Sequence, residues 1–138
     1  MEFKIFYDMP DAALEVRITV FVEEQGFRDE FDDTDKTAMH IVAFDGDRPI
    51  GTCRVFTKED VGTYYLGRLA VVKDFRGQGI GSKIMKCAES AVAVNGGKKI
   101  VLHSQLRAVD FYEKIGYTQF GEIEEEEGYP HIWMSKKI

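Results

Sequence analysis

Arg76-Gly77-Gln78-Gly79-Ile80-Gly81-Ser82 is the stretch on which the reading of this chain turns. It follows the apolar run Leu69-Ala70-Val71-Val72 and precedes a segment in which Ile84, Cys87, Ala88, Ala91 and Val92 share one helical face. Glycines between a buried strand and an amphipathic helix let the backbone approach a ligand closely and turn successive N–H groups toward one point. The helix that follows adds unpaired amides and the positive end of its dipole, and Arg76 adds a fixed charge. That combination makes a pyrophosphate cradle. The plain alternative is a turn that merely starts a helix, but alternating glycines carry an entropy cost that such a turn leaves unexplained.

Two other phosphate motifs fail on spacing. A dinucleotide fingerprint needs G-x-G-x-x-G near the beginning of a βαβ unit. Here the glycines follow G-x-G-x-G and open mid-chain, after strands expected to run antiparallel. A P-loop needs Gly-Lys-Ser/Thr, and the chain has Gly81-Ser82-Lys83.

Outward from the bend, a consistent order of elements emerges. Phe3, Ile5 and Tyr7 alternate with Lys4 and Phe6 as a short strand. Asp8 and Pro10 suit a helix start, and Leu14, Ile18, Phe21 and Val22 fall on one helical stripe. Residues 26–37 are acidic and read as a loop or short helix. His40–Phe44 and Pro49–Phe56 form a hairpin around Asp45-Gly46-Asp47, a strong turn signal. Thr63–Val72 is the next strand. After the helix that follows the bend, Gly96-Gly97 end it, Lys99–His103 reads as a buried strand, and residues 107–115 form a short helix stopped by Gly116. Tyr117–Glu122 and His131–Ser135 read as a closing hairpin, with Glu124–Glu127 as its solvated loop; attraction of a cationic acceptor is the lesser reading of that run. The order β-α-β-β-β-α-β-α-β-β describes an α/β (α+β) domain, a mixed, mainly antiparallel sheet of about seven strands with helices on its faces.

Composition narrows the functional classes. A chain of 138 residues fits one domain, taken as residues 1–138, with 44% hydrophobic and 30% charged residues. The net charge of −6 argues against nucleic acid, which calls for a basic stripe. It is compatible with a cationic partner, although solvation alone explains it too. Cys53 and Cys87 have no metal-type spacing and read as buried thiols. No metal site is expected. Neither a signal peptide nor an apolar run of ~20 residues is visible, which points to a cytoplasmic protein without a membrane partner.

With these residues in view, the sequence resembles the GNAT superfamily of acyl-CoA-dependent N-acetyltransferases. The family's Arg/Gln-x-x-Gly-x-Gly/Ala signature is matched by Arg76, Gly79 and Gly81. Its late helix is similar to Gln105-Leu106-Arg107-Ala108-Val109-Asp110-Phe111-Tyr112-Glu113-Lys114-Ile115-Gly116-Tyr117. Val20-Phe21-Val22-Glu23-Glu24-Gln25-Gly26 and Gly128-Tyr129-Pro130-His131 resemble the small bacterial ElaA/YjcF-like branch.

The resemblance implies acetyl-CoA (coenzyme A) as co-substrate and a primary amine as acceptor, attacked directly and with no covalent enzyme intermediate. It implies strands that splay between the fourth and fifth, with the thioester in the gap. The amides of Gly77, Gln78, Gly79, Ile80, Gly81 and Ser82, with Arg76, would hold the pyrophosphate. Leu69, Ala70 and Val71 would pair with the pantetheine arm as though it were a strand, and Phe111 and Tyr112 would flank the cofactor. The Leu69 amide takes the oxyanion position, and Tyr112 that of the general acid. The place where many members carry a carboxylate base is Tyr65. His103 and His131 are therefore the candidate bases, since imidazole titrates near neutrality, and Glu24, Arg68, Gln105 and His131 the candidate acceptor contacts. His40 reads as structural. An acyl-CoA sensor without turnover, a protein-lysine acetyltransferase and a purely structural domain remain as alternatives. The superfamily's usual dimers leave a homodimer open.

Overall fold

The computed structural model describes residues 1–28 and 30–138, so that of the acidic segment only Asp29 lies outside the described residues. The strands are β1 (Glu2–Phe6), β2 (Met39–Asp45), β3 (Arg48–Thr57), β4 (Thr63–Val71), β5 (Lys99–Gln105), β6 (Thr118–Glu126) and β7 (Tyr129–Lys137). The α-helices are α1 (Asp11–Arg17), α2 (Ile80–Val94) and α3 (Val109–Lys114). One seven-stranded sheet runs in the order β1-β2-β3-β4-β5-β7-β6. All neighbours are antiparallel except β4 and β5. This is the mixed sheet with flanking helices that the sequence predicts.

The sheet opens between its parallel strands for a local reason. Thr52 pairs with Ala70 and Arg54 with Gly67, which leaves Arg68 and Leu69 of β4 opposite Cys53 of β3. This is a β-bulge, and Arg68 adopts φ 56° within it. A bulge bends its strand and increases the local twist. β4 accordingly pairs with β5 from Thr63↔Lys99 to Leu66↔Leu102 and no further. Past Leu66 the β4 edge that faces β5 is free of strand pairing.

The first helix buries a different face from the predicted one. Ala13, Val16, Arg17, Val20 and Phe21 are buried, whereas Leu14 and Val22 are exposed. Both stripes obey helical spacing; the one that wins contains an arginine. Arg17 Nε donates to Glu30 at 2.8 Å and Nη1 to Asp35 at 2.7 Å, and Arg54 Nη1 donates to Asp32 at 2.6 Å and Asp35 at 2.9 Å. Arg68 Nε joins through Glu30 at 3.1 Å. The acidic segment is thus anchored, Glu30 and Asp35 inward, with a short 3-10 helix at Asp33–Lys36. Beyond Arg17 the winding loosens into a π-helix, Ile18–Glu24, and Gln25 N–H donates to Val20 O at 3.1 Å.

α2 supplies the opposite half of the core. Ile80, Ile84, Met85, Ala88, Ala91 and Val92 are buried, and Cys87, expected among them, is only half-buried. Fully burying an Ile or Met contributes about 1.5–3 kcal/mol. Tyr7, read as the end of β1, lies outside it and is exposed. A larger correction concerns the acidic run. Glu124, Glu125 and Glu126 are not a loop; they belong to β6 and pair with His131, Pro130 and Tyr129. The turn lies at Glu127 (φ 53°) and Gly128 (φ 80°).

Candidate active site

Two clefts meet at Leu69. The larger, about 610 Å³, occupies the splay between β4 and β5. The smaller, about 350 Å³, runs along Leu69, Ala70 and Val71 toward Glu24 and Arg76. Leu69, Gln25 and Arg107 line both, so the two clefts adjoin along these side chains.

The glycine bend flanks the smaller cleft. Gly77 has φ 78° and Gly79 φ 77°, a region that favours glycine. Gly79 is the N-cap of α2, and no side chain caps the amides of its first turn. A Cβ placed on Gly77 or Gly79 would meet nothing within 4 Å. Gly81 has another reason to be glycine, because its Cβ would lie 3.3 Å from the Phe111 ring. An uncapped helix N-terminus preceded by glycines whose Cβ positions are open fits an anionic diphosphate, so the residues present suit coenzyme A. Gln78 Nε2 donates to Asp74 O at 3.4 Å. Arg76 donates to both carboxylate oxygens of Glu24 at 2.7 Å and through Nε to Val71 O at 2.8 Å. Its hydrogen bonds and charge hold the Glu24 carboxyl below the usual range. Glu24 therefore sits on the glycine-bend side, apart from the histidines, and not among the groups of the larger cleft.

In the larger cleft the order β5-β7-β6 brings His103 and His131 together, because Gln105 pairs with His131 and His103 with Trp133. The imidazole centroids are 5.0 Å apart, and His103 stacks on Trp133 at 4.2 Å. His131 Nδ1 lies 2.8 Å from Tyr129 O. A carbonyl only accepts, so Nδ1 carries the proton. Glu126 lies 3.5 Å from His103 Nδ1 through one oxygen and 3.5 Å from His131 Nε2 through the other. Glu124 is 3.5 Å from His103 Nε2 and accepts from Trp133 Nε1 at 3.2 Å.

Other predicted residues fall around this pair. Tyr112, 8% exposed, lines the cleft and packs edge-on against Phe111 and Tyr117. Burial pushes its phenol well above its ordinary value. Tyr65 donates to Asp60 at 2.9 Å, which raises its own phenol further. Gln105 Nε2 donates to Gln25 at 3.0 Å, and Arg107 donates to Gln105 at 2.7 Å. Arg68 is engaged by Glu30, the ordinary ion-pair alternative, yet still lines the cleft. His40 is structural in its contacts: Nε2 donates to Asp35 O at 2.9 Å.

The sequence reading puts Glu124 and Glu126 in a loop and not beside the histidines, and it gives no site role to the aromatic wall of Phe21, Phe27 and Trp133. The available signal was the spacing of two between the glutamates, which places both on one face of a strand. Gly128 marks where that strand turns.

The chain resembles known proteins in both sequence and fold. The model of the "Acetyltransferase (GNAT) domain" family matches residues 7–138. YjcF of Bacillus subtilis, described as an uncharacterized N-acetyltransferase, is 39% identical over 127 residues, 90% of this chain and 89% of that one. Protein ElaA of Escherichia coli is 30% identical over 132 residues, 92% of this chain and 86% of the relative. The crystal structure of ElaA superposes with a TM-score of 0.89 over 98% of each chain at 26% identity. An aminoglycoside 6'-N-acetyltransferase solved with coenzyme A shares the fold, with a TM-score of 0.78 over 99% of this chain and 97% of that one at 19% identity.

Proposed function

The chain belongs to the GNAT acetyltransferase family, in its small bacterial ElaA/YjcF-like branch, and from that premise we propose that residues 1–138 act as one N-acetyltransferase domain, moving an acetyl group from acetyl-CoA to a primary amine by direct attack. The observation that carries this reading is the pair of adjoining clefts that share Leu69, with an uncapped α2 N-terminus beside one and paired imidazoles in the other. A relative in fold was solved with coenzyme A, which supports the same co-substrate here.

In this proposal the amides from Gly77 to Ser82 bind the diphosphate. Arg76 shares its charge between that group and Glu24. The free edge of β4 at Leu69, Ala70 and Val71 hydrogen-bonds the pantetheine amides. The Leu69 amide stabilises the oxyanion, a contribution of ~3–4 kcal/mol for a well-placed donor. An amine with a pKa near ~10.4 must shed a proton before it attacks, and His103 with His131 receives it. Tyr112 keeps its proton throughout the neutral range because burial disfavours the phenolate. It donates a hydrogen bond to the departing sulfur before giving up the proton. Arg68 and Gln105 shape the acceptor end.

Two measurements test the reading. Titration calorimetry should show saturable binding of coenzyme A, and a thiol-release screen over polyamines, amino sugars, aminoglycosides and lysine peptides should show turnover. No heat with coenzyme A or its acetyl ester would remove the proposal. Binding without thiol release from any amine would favour the sensor instead.

A further inference from the structure

The contacts of Glu126 leave a lone pair without a proton to face. His131 Nδ1 already donates to Tyr129 O, so in a neutral ring Nε2 carries a lone pair, and a carboxylate oxygen of Glu126 lies 3.5 Å from it. His103 is in a similar position. Both of its nitrogens face carboxylates, Nδ1 toward Glu126 and Nε2 toward Glu124, and a neutral imidazole can donate from only one. His103 Nε2 is buried and has no hydrogen-bond partner. A lone pair beside a carboxylate is repelled, and an added proton turns each such contact into an attractive ion pair that can tighten into a charge-assisted hydrogen bond.

Glu125 and Lys58 also line the cleft, Lys58 with its ammonium over the Tyr65 ring, and the remaining polar groups around the histidines have other partners. From β4, Tyr65 is hydrogen-bonded to Asp60 and Arg68 is paired with Glu30. Arg107 lies over the Tyr129 ring and donates to Gln105. From β7, Trp133 stacks on His103. Among the described residues, no Lys or Arg forms an ion pair with Glu124 or Glu126.

We infer that Glu126 is a positioning residue for the base, bridging His103 and His131 so that the cluster accepts one proton from the acceptor ammonium. Glu126 reaches the cleft from β6, beside the β6–β7 turn, and acts through the two rings without itself taking the proton. The inference rests on the transfer reading above. An N–H bond of the ammonium breaks as an N–H bond forms on His103, the more exposed ring of the two. The freed nitrogen pair forms the C–N bond to the thioester carbonyl, and the C–S bond breaks. The sulfur leaves with the electron pair and takes the second amine proton through Tyr112. The imidazolium returns its proton to water. The products are an amide, a free thiol and one released proton, which balances the charge of the ammonium.

The test uses the full chain and has two arms. In the first, ¹⁵N-histidine NMR of the ligand-free protein should show His131 protonated on Nδ1, and Glu126→Gln should change the ring-nitrogen shifts of both histidines. In the second, Glu126→Gln should lower kcat about tenfold or more at pH 7 with KM for acetyl-CoA unchanged. The deficit should shrink as pH approaches ~10, where the amine arrives neutral. Glu126→Asp should fall between, and Glu122→Gln, on the same strand, should match the parent. A uniform deficit at every pH, or histidine shifts that ignore Glu126→Gln, would overturn the bridge. If the parent protein releases no thiol with any amine, the transfer reading fails by itself, and the NMR arm still decides whether Glu126 holds the two rings.

Discussion

Tyr112 is legible in the sequence only through its motif, since periodicity alone would make it a core aromatic. In the structure it is a buried ring on the wall of the larger cleft. Replacing Tyr112 with Phe keeps the packing and removes the hydroxyl. Turnover should fall by roughly 100-fold while calorimetry shows acetyl-CoA affinity unchanged; wild-type turnover would take Tyr112 out of the mechanism. Arg17 is the opposite case. A hydropathy reading sends an arginine to solvent, and nothing local in α1 reveals that Glu30 and Asp35, 13 and 18 residues away, will neutralise it. The glutamates of β6 were hidden by a similar rule, because charge runs are more often solvated than turned toward a site. His103 and His131 were visible because the residue type is scarce and its chemistry narrow.

Among elements, the β2–β3 hairpin and α2 could be read directly: Asp-Gly turns and a regular apolar face are strong local signals. The β6–β7 turn was misplaced because Glu127 adopts a left-handed backbone where Asn or Asp is the usual indicator. The splay followed only from resemblance, since a bulge at Arg68 and Leu69 has no reliable composition. The ion cluster ties α1 and the acidic segment to that bulge through Arg54 and Arg68. Truncating one member of a buried ion pair typically costs about 3–5 kcal/mol, because its partners remain charged and unsolvated. Arg17→Ala should therefore lower the unfolding free energy by that amount in a urea titration. A loss under ~1 kcal/mol, the value of an exposed pair, would mean that water reaches the cluster.

For the molecule as a whole, acid should act in two stages. Burial lowers the His40 pKa from 6.5, so between that value and its folded pKa the unfolded chain binds the proton that the folded state declines. Stability is complete above pH ~6.5 and declines as pH falls below it. For Asp35, burial alone would raise the carboxyl, but the hydrogen bonds and charge of Arg17, aided by Arg54, bring it down from 3.8 to about 2. That contribution is present above pH ~4 and is lost toward pH 2. Melting temperatures should thus drop from pH 7 to 5, less steeply in His40→Gln, and again below pH 4. Equal slopes in parent and variant over the first interval would exclude His40. The sheet order carries a last consequence. Chains leave the ribosome N-terminus first, and β7 emerges after both of the strands it separates. Until residues 129–137 are out, β6 has nothing in the sheet to hold and β5 offers a bare margin to any passing polypeptide. A nascent chain halted there would own the glycine bend yet lack one imidazole, so under the proposed transfer reaction coenzyme affinity should arise earlier in synthesis than turnover.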